Sequence, residues 1–514
     1  MAVSFVKTLD FKPGVQRDTT QLDSDTLIDA QWTRIYAGRP RKIGGMFLMS
    51  AGNSEIIRNL YGVPKSRSLD VYNGRKSTLT FINKNFQGLG DVETDRTPVG
   101  FVPQENNQWV FDTYINDVSF TPITYIIANV NNNRDDITGT NEGPIYYGDI
   151  NATTPLVAIP AEVASGGILQ VQPFLFGYGN DGVIFWNSPN NITSWPSANV
   201  LAISGSKIVA GARTNGNGAP AALFWSLDSL YRVIFAPTAG KPDDFSSQLI
   251  RDQISILGSN AIVQVNQQFF WPGNGEFLTY NGTVETVPND MNSNYFFDSL
   301  NRDQAQKMYG VYIPRFKEIW WFYATIGSTE NNRVLIYSLI DGSWNNTILS
   351  RAAAFNSSVF PYPIMSDSST LIDPNYPPNS VYGLWMHEFG WNRVQFNQSY
   401  AIEAWFQTPY MSLGLENPQM DRQMRVLRLE PDFIQTNQNM YVEIYRKAFA
   451  NDPAKISLPK FFNQSTHKID METNPPSSMG RFISLKFTSN TVDDTFQMGK
   501  CILDYNIGDV TPNS

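Results

Sequence analysis

Apolar and polar positions alternate in short runs through most of this chain, and apolar stripes at helical spacing are scarce. The runs are β-branched or aromatic and are cut by Gly, Asn, Pro or Asp, the pattern of short antiparallel strands joined by turns. In the middle of the chain they fall into units. One reads SKIVAGA, PAALFWS, LYRVIFA; the next reads NAIVQV, QQFFWPG, EFLTYNG, TVETVP; the next reads KMYGVYIP, EIWWFYATI, RVLIYSLIDGSW. Each unit predicts a meander of three or four strands, with turns at YNG 280–282 and DGS 341–343. A fifth, degenerate unit runs from Ala352 to Trp391 through VYGLW, with residues 366–380 as an inserted loop.

Four of the apolar runs end in Trp. They are VIFW at Trp186, ALFW at Trp225, QFFW at Trp271 and EIWW at Trp321, at intervals of 39, 46 and 50 residues. A strand-built unit repeating every roughly 40–50 residues is the signature of a β-propeller blade. The expected fold is therefore all-β: a β-propeller of about seven blades with an additional C-terminal β-sandwich-like domain. Trp186, Trp225, Trp271 and Trp321 are expected in the blade core, with each indole N–H satisfied at an edge. A stacking platform for nucleotides or sugars is the competing role.

Three regions follow. Residues 1–45 read as an N-terminal arm with a basic cluster, residues 46–400 as the propeller, and residues 401–514 as a C-terminal β domain of longer alternating strands such as RVLRLEPDF and RFISLKFT. Within 46–165, Tyr72-Asn73-Gly74 predicts a hairpin turn before STLTFINKN. Residues 131–143 are a polar loop whose Asp135 and Asp136 lack calcium-loop spacing. One helix is predicted at NRDQAQK, with Asn301 as N-cap and Gln304 three positions on.

Composition narrows the function classes. A chain of 514 residues exceeds the roughly 250–300 of a single core, so more than one domain is expected. Charged residues are 17%, below the roughly 25% of an ordinary soluble domain, which suits a surface buried in a large assembly. Net charge is −9, the wrong sign for sequence-independent binding to nucleic acid. One cysteine, Cys501, excludes an intrachain disulfide. No signal peptide and no membrane-spanning run are read, so Asn-X-Ser/Thr triplets such as 191–193 are taken as turns.

Catalytic equipment is sparse, and no enzyme, cofactor or metal is expected. His387 and His467 are the only histidines; His387-Glu388 lacks the second histidine of HExxH. Ser204-Gly205-Ser206-Lys207 spells SxxK but leads into a strand, not a helix. Gly-rich TNGNGAP, 214–220, reads as turn chemistry. Paired carboxylates for glycoside hydrolysis remain, with Asp228, Glu276 and Glu318 as candidates. The arm carries Arg34, Arg39, Arg41 and Lys42. These form a solvated turn, a docking interface for an acidic partner, or a contact to phosphates.

Several segments carry a resemblance. The arm DFKPGVQRDTTQLDSDTLIDAQWTRIYAGRPRKIGG, then GGILQVQPFLFGYGNDGVIFWN, SKIVAGARTNGNGAPAALFWSLDSLYRV, FFWPGNGEFLTYNGTVETVPNDMN and EIWWFYAT, resemble the tail nozzle, or packaged-DNA-stabilisation, proteins of short-tailed bacteriophages. The resemblance spans about residues 10–400 as distributed pattern, without a short site motif. It implies a non-enzymatic propeller protein forming a homohexameric ring below the portal and its adaptor. Such a ring extends the DNA channel, retains packaged DNA and conducts it on ejection, without binding it specifically. The implied place is the virion tail, assembled in the host cytoplasm, with the adaptor ring, tail fibres or tail tip as partners and no membrane. A carbohydrate-binding propeller or glycosidase, and a host-receptor-binding tail protein, are the alternatives.

Overall fold

The computed structural model describes residues 5–10, 12–65, 68–85, 93–103, 108–131, 143–216, 219–370, 381–416, 422–436, 438–471 and 478–510. Most of the 131–143 loop with Asp135 and Asp136, residues 217–218 of the Gly-rich turn and residues 371–380 of the inserted loop lie outside these.

The described chain is all-β, built from many small antiparallel sheets. Six four-stranded sheets follow one another, over residues 59–95, 108–163, 167–202, 208–252, 263–287 and 309–348, each a meander in chain order. A seventh is formed by Arg351–Phe355, Ile364–Asp367 and Tyr382–His387. Its fourth strand comes from the other end of the region: Met46–Asn53 pairs antiparallel with Tyr382–His387. The hairpin Arg393–Gln395 and Gln398–Tyr400 then adds to the outside of Met46–Asn53. First strands of neighbouring sheets touch one another; the short helix Ser259–Ala261 touches those of the fourth and sixth, and Arg351–Phe355 of the seventh returns to Asn59–Pro64 of the first. Small residues permit this approach. At Gly62 an added Cβ would stand 2.2 Å from the Phe355 ring of the neighbouring sheet.

Turns at 280–282 and 341–343 form as read: Gly282 and Gly342 take positive φ, at 90° and 70°. Asn73-Gly74 does not. Both residues end a buried strand, Ser68–Gly74, and the turn follows at 75–78. Gly74 is needed because Trp109 of the second sheet lies against it, 2.3 Å from where a Cβ would be. The predicted helix is a 3-10 turn, Arg302–Lys307, with Asn301 accepting from the Asp303 amide. A second helix, Ser293–Ser299, was not legible. Its first amides, Asn294 and Tyr295, donate to the carboxylate of Asp18 at 2.8 Å each, a cap supplied by the arm.

The arm is not a free extension. Phe5–Leu9 and Arg39–Lys42 pair with the last strand, Phe496–Val510, and Asp29–Gln31 pairs with Ala404–Gln407. Strands of the arm and of the C-terminal region thus share two larger sheets, while Lys12–Val15 and Thr26–Leu27 pair separately. Between them lies an aromatic core of Phe406, Phe433, Phe487 and Phe496, all buried. The same core continues into the sixth and seventh sheets through Trp320, Phe322 and Trp385.

Candidate functional site

The four repeated tryptophans are all buried and lie between sheets. Trp321 Nε1 donates to the Ala261 carbonyl before the fifth sheet at 2.8 Å, and Trp186 Nε1 to the Asp243 carbonyl of the fourth at 2.9 Å. Trp271 Nε1 reaches Ser255 O at 3.3 Å, and its ring meets Trp225 edge-on at 5.5 Å. Among the described residues Trp225 Nε1 has no hydrogen-bond partner. The cadence is not one structural position. Trp225, Trp271 and Trp321 sit on second strands, whereas Trp186 sits on a third strand opposite Phe176. Trp109 and Trp344 stitch neighbouring sheets in the same way, through Arg75 O and Pro288 O.

Side chains also tie these sheets together beyond their strand pairing. Tyr309 of the sixth sheet donates to Asn59 Oδ1 of the first at 2.9 Å. Arg213 of the fourth sheet holds Asp112 of the second at 2.9 Å and Gln170 of the third at 2.6 Å. Asp112 also accepts from the Gln170 amide at 2.8 Å. Its carboxyl is raised by burial, against the pull of Arg213.

The basic cluster is divided by the fold. Arg34 is buried between two carboxylates, with Nε 3.2 Å from Glu318 and an ion pair to Glu388. Its guanidinium carbon lies 3.4 Å from the centre of the Phe316 ring. Lys42 is buried as well and donates to Ser489 Oγ at 3.2 Å and Asp494 O at 2.9 Å. Burial pulls its pKa down to about 8, with Asp494 opposing. Arg34 and Lys42 are therefore internal ties and not parts of a docking interface; a sequence cannot tell a surface cation from one whose acid lies some 350 residues away. Arg39 faces Asp10 at 3.8 Å and keeps 28% exposure, and Arg41 is half-buried over Tyr36 and Phe316.

Each candidate acid has partners of its own. Asp228 is an exposed turn residue whose carboxylate is lowered by hydroxyls of Ser206, Ser226 and Ser229. Glu276 accepts from Thr286. Glu318 is 2% exposed; burial raises it to about 7, with Arg34 pulling it back. Glu318 and Glu388 do flank one arginine, but their side chains are only 2% and 7% exposed.

His387, read only as a failed metal motif, belongs to a second buried network. Its Nε2 accepts from Arg351 Nε at 3.0 Å, so the ring is neutral with its proton on Nδ1. Burial, then Arg351, holds its pKa well below the ordinary value. Asp367 accepts from Arg351, from Trp385 Nε1 at 2.7 Å and from the Gly383 amide at 3.0 Å. This network floors a cleft of about 570 Å³ between the arm, the seventh sheet and residues 400–403. Arg393, Tyr400 and Glu403 stand exposed at its rim. The volume is that of a ligand pocket, but the polar groups of its floor are already engaged with one another.

Among the described residues, no three His, Cys, Asp or Glu side chains group as a metal site, and no helix is long and apolar enough to cross a membrane. No protein-family model matches the chain, and no curated protein matches it.

Proposed function

We propose that this chain is a structural subunit of the tail nozzle of a short-tailed bacteriophage. In this reading the seven small sheets are the blades of a β-propeller, and the two larger sheets form a β-sandwich-like C-terminal domain. Six copies form a ring below the portal and adaptor, extending the DNA channel in the virion tail. The subunit performs no catalysis and holds DNA by enclosure.

The observation that carries the reading is the closure of the sheet circle. Met46–Asn53 completes the seventh sheet, and Arg213–Asp112 and Tyr309–Asn59 contacts tie the sheets together beyond their strand pairing. In this reading each circle of sheets is a wall block, and DNA passes along the axis of the ring of copies, outside each circle. The net charge of −9 supports passage without adhesion, since phosphates find no excess of cations to neutralise.

A glycosidase needs two carboxylates roughly 5–10 Å apart at an accessible mouth. Asp228 holds serine hydroxyls, Glu276 holds Thr286 and Glu318 is buried against Arg34, which weighs against that reading.

Imaging of the intact particle tests the proposal. A six-fold ring of this chain below the portal, with acidic residues outnumbering basic ones on the axial surface, is expected. Absence from the virion, or a duct lined mainly by Lys and Arg, would sink it. Density at the distal tip alone would transfer the chain to the receptor-binding class.

A further inference from the structure

Trp32 carries two unfavourable features at once. It joins Asp29–Gln31 to Thr33–Tyr36 at a φ of 51°, in the left-handed region that a large side chain rarely adopts. The sixth sheet helps to hold it there, since Thr347 Oγ1 accepts from the Trp32 amide at 2.9 Å. Its indole is buried, and among the described residues Nε1 has no acceptor. A buried donor without a partner is unfavourable until something supplies the acceptor. Trp32 lines the cleft of about 570 Å³ described above.

Other groups of the same cleft are also unspent. Arg351 gives Nε to His387 and Nη1 to Asp367, but its Nη2 meets only Met46 Sδ at 3.2 Å, and a thioether is a weak acceptor. At the rim, the Arg393 guanidinium lies over the Tyr400 ring, 5.4 Å from its centre. Among the described residues neither Arg393 nor Glu403 forms an ion pair or a side-chain hydrogen bond, although both line the cleft.

These groups select a ligand by charge. Two cations, Arg351 and Arg393, stand against two anions, Asp367 and Glu403, so the lining is neutral as a whole. A free anion that reached Arg393 would also face Glu403 and Asp367, and a free cation would face both arginines. A neutral ligand bearing hydroxyls avoids both penalties, because a hydroxyl accepts from an indole or guanidinium and donates to a carboxylate. Trp32, Trp385 and Tyr400 add apolar ring surface, on which the C–H face of a sugar ring can pack. The position is a junction. The walls come from the arm, from the seventh sheet and from residues 400–403, where the chain leaves for the C-terminal sheets, and pockets concentrate at such junctions.

We propose that this cleft is a saccharide-binding site, taking a neutral sugar unit whose oxygens accept from Trp32 Nε1, Arg351 Nη2 and Arg393 and whose hydroxyl donates to Glu403. Asp367 is spent on Arg351, Trp385 and the Gly383 amide, so the site binds and does not hydrolyse. The proposal needs no ring of copies and stands apart from the nozzle reading.

Saturation-transfer NMR on the full chain tests it. Glucose, galactose, mannose, rhamnose and N-acetylglucosamine are the neutral probes; glutarate and cadaverine are the charged ones. At least one sugar should bind with a Kd of about 1 mM, and neither charged probe should bind as well. Arg393→Met and Glu403→Gln alter exposed side chains, so the fold is retained, which circular dichroism checks. Each should weaken the sugar about tenfold, the worth of one hydrogen bond to a charged group. Trp32→Phe, which removes the buried donor, should weaken it as well. The sign at Glu403 separates the ligand classes: Glu403→Gln weakens a sugar and strengthens an anion.

No transfer from any of these sugars at about 50 mM overturns the proposal. So does glutarate binding that Glu403→Gln strengthens, a preference for cadaverine, or sugar binding that both rim variants leave unchanged.

Discussion

Arg34, on the amino-terminal arm, lies with Nε 3.2 Å from Oε1 of Glu318, at the start of the second strand of the sixth sheet, and both side chains are almost wholly buried. Glu388, just past the third strand of the seventh sheet, faces the same guanidinium and accepts from the Gly44 amide at 3.2 Å. One cation thus ties the arm to two neighbouring sheets, and it sits between two carboxylates where water is excluded.

Removing that cation strands two buried acids. Arg34→Met should destabilise the chain by about 3–5 kcal/mol, the cost of breaking a buried pair by taking one partner. Urea unfolding followed by tryptophan fluorescence measures it. A loss below about 1 kcal/mol would show that the carboxylates find water or protons at little cost.

The same hub sets a pH dependence. Glu318 ionises in the fold near about 7, against 4.5 ordinarily, so the folded chain keeps its proton longer than the unfolded chain. Stability from this group is intact below about pH 4.5, declines as pH rises, and levels off above about 7. The decline is at most about 3 kcal/mol. Glu318→Gln should remove it, so the variant gains on the wild type between about pH 5 and about pH 8. Unfolding midpoints at the two pH values check the sign. An unchanged difference refutes the role given to Glu318.

His387 works in the opposite direction. It stays neutral in the fold, while the unfolded imidazole takes a proton below about 6.5. Its contribution is present above that pH and is lost as pH falls, at about 1.4 kcal/mol per unit until the buried ring itself titrates. His387→Asn keeps an acceptor for Arg351 and should flatten this acid limb. Equilibrium unfolding across about pH 4–7 would show whether the slope changes.

Two of the tryptophans should respond differently to the same change. Trp321→Phe removes the indole donor from the Ala261 carbonyl, whereas Trp225 Nε1 has no partner among the described residues to lose. Beyond the shared loss of volume, Trp321→Phe should cost about 1–2 kcal/mol more than Trp225→Phe. Equal losses would mean that the indole bond to the next sheet carries no weight.

Deleting residues 1–45 should abolish soluble folding of the remainder. The deletion takes away Arg34, the Asp18 cap of Ser293–Ser299 and the strands that pair with Phe496–Val510 and Ala404–Gln407. A soluble, cooperatively unfolding 46–514 fragment would instead make the arm dispensable.

The strand cadence was legible because alternation and turn residues are local. The middle units, the Gly282 and Gly342 turns and the Asn301 cap all follow from residues within a few positions of one another. Where the reading failed, a distant partner had intervened. Asn73-Gly74 has the composition of a hairpin turn, yet Gly74 is there to admit Trp109. Ser293–Ser299 is only seven residues long, and its first turn is capped by Asp18 from the arm. Arg34 and Lys42 have the composition of a docking patch, yet their partners are Glu318, Glu388 and Asp494.

By itself the sequence determined an all-β chain of short meanders with buried tryptophans and little apparatus for chemistry. Period-two alternation and turn chemistry act over a few residues and need no knowledge of what packs above them. The tertiary structure alone decided how the circle closes, which cations are buried, and that the arm belongs to the carboxyl-terminal sheets. Those outcomes depend on pairing across hundreds of residues, where the burial of a charge or a strand edge is set by a neighbour the local pattern does not contain.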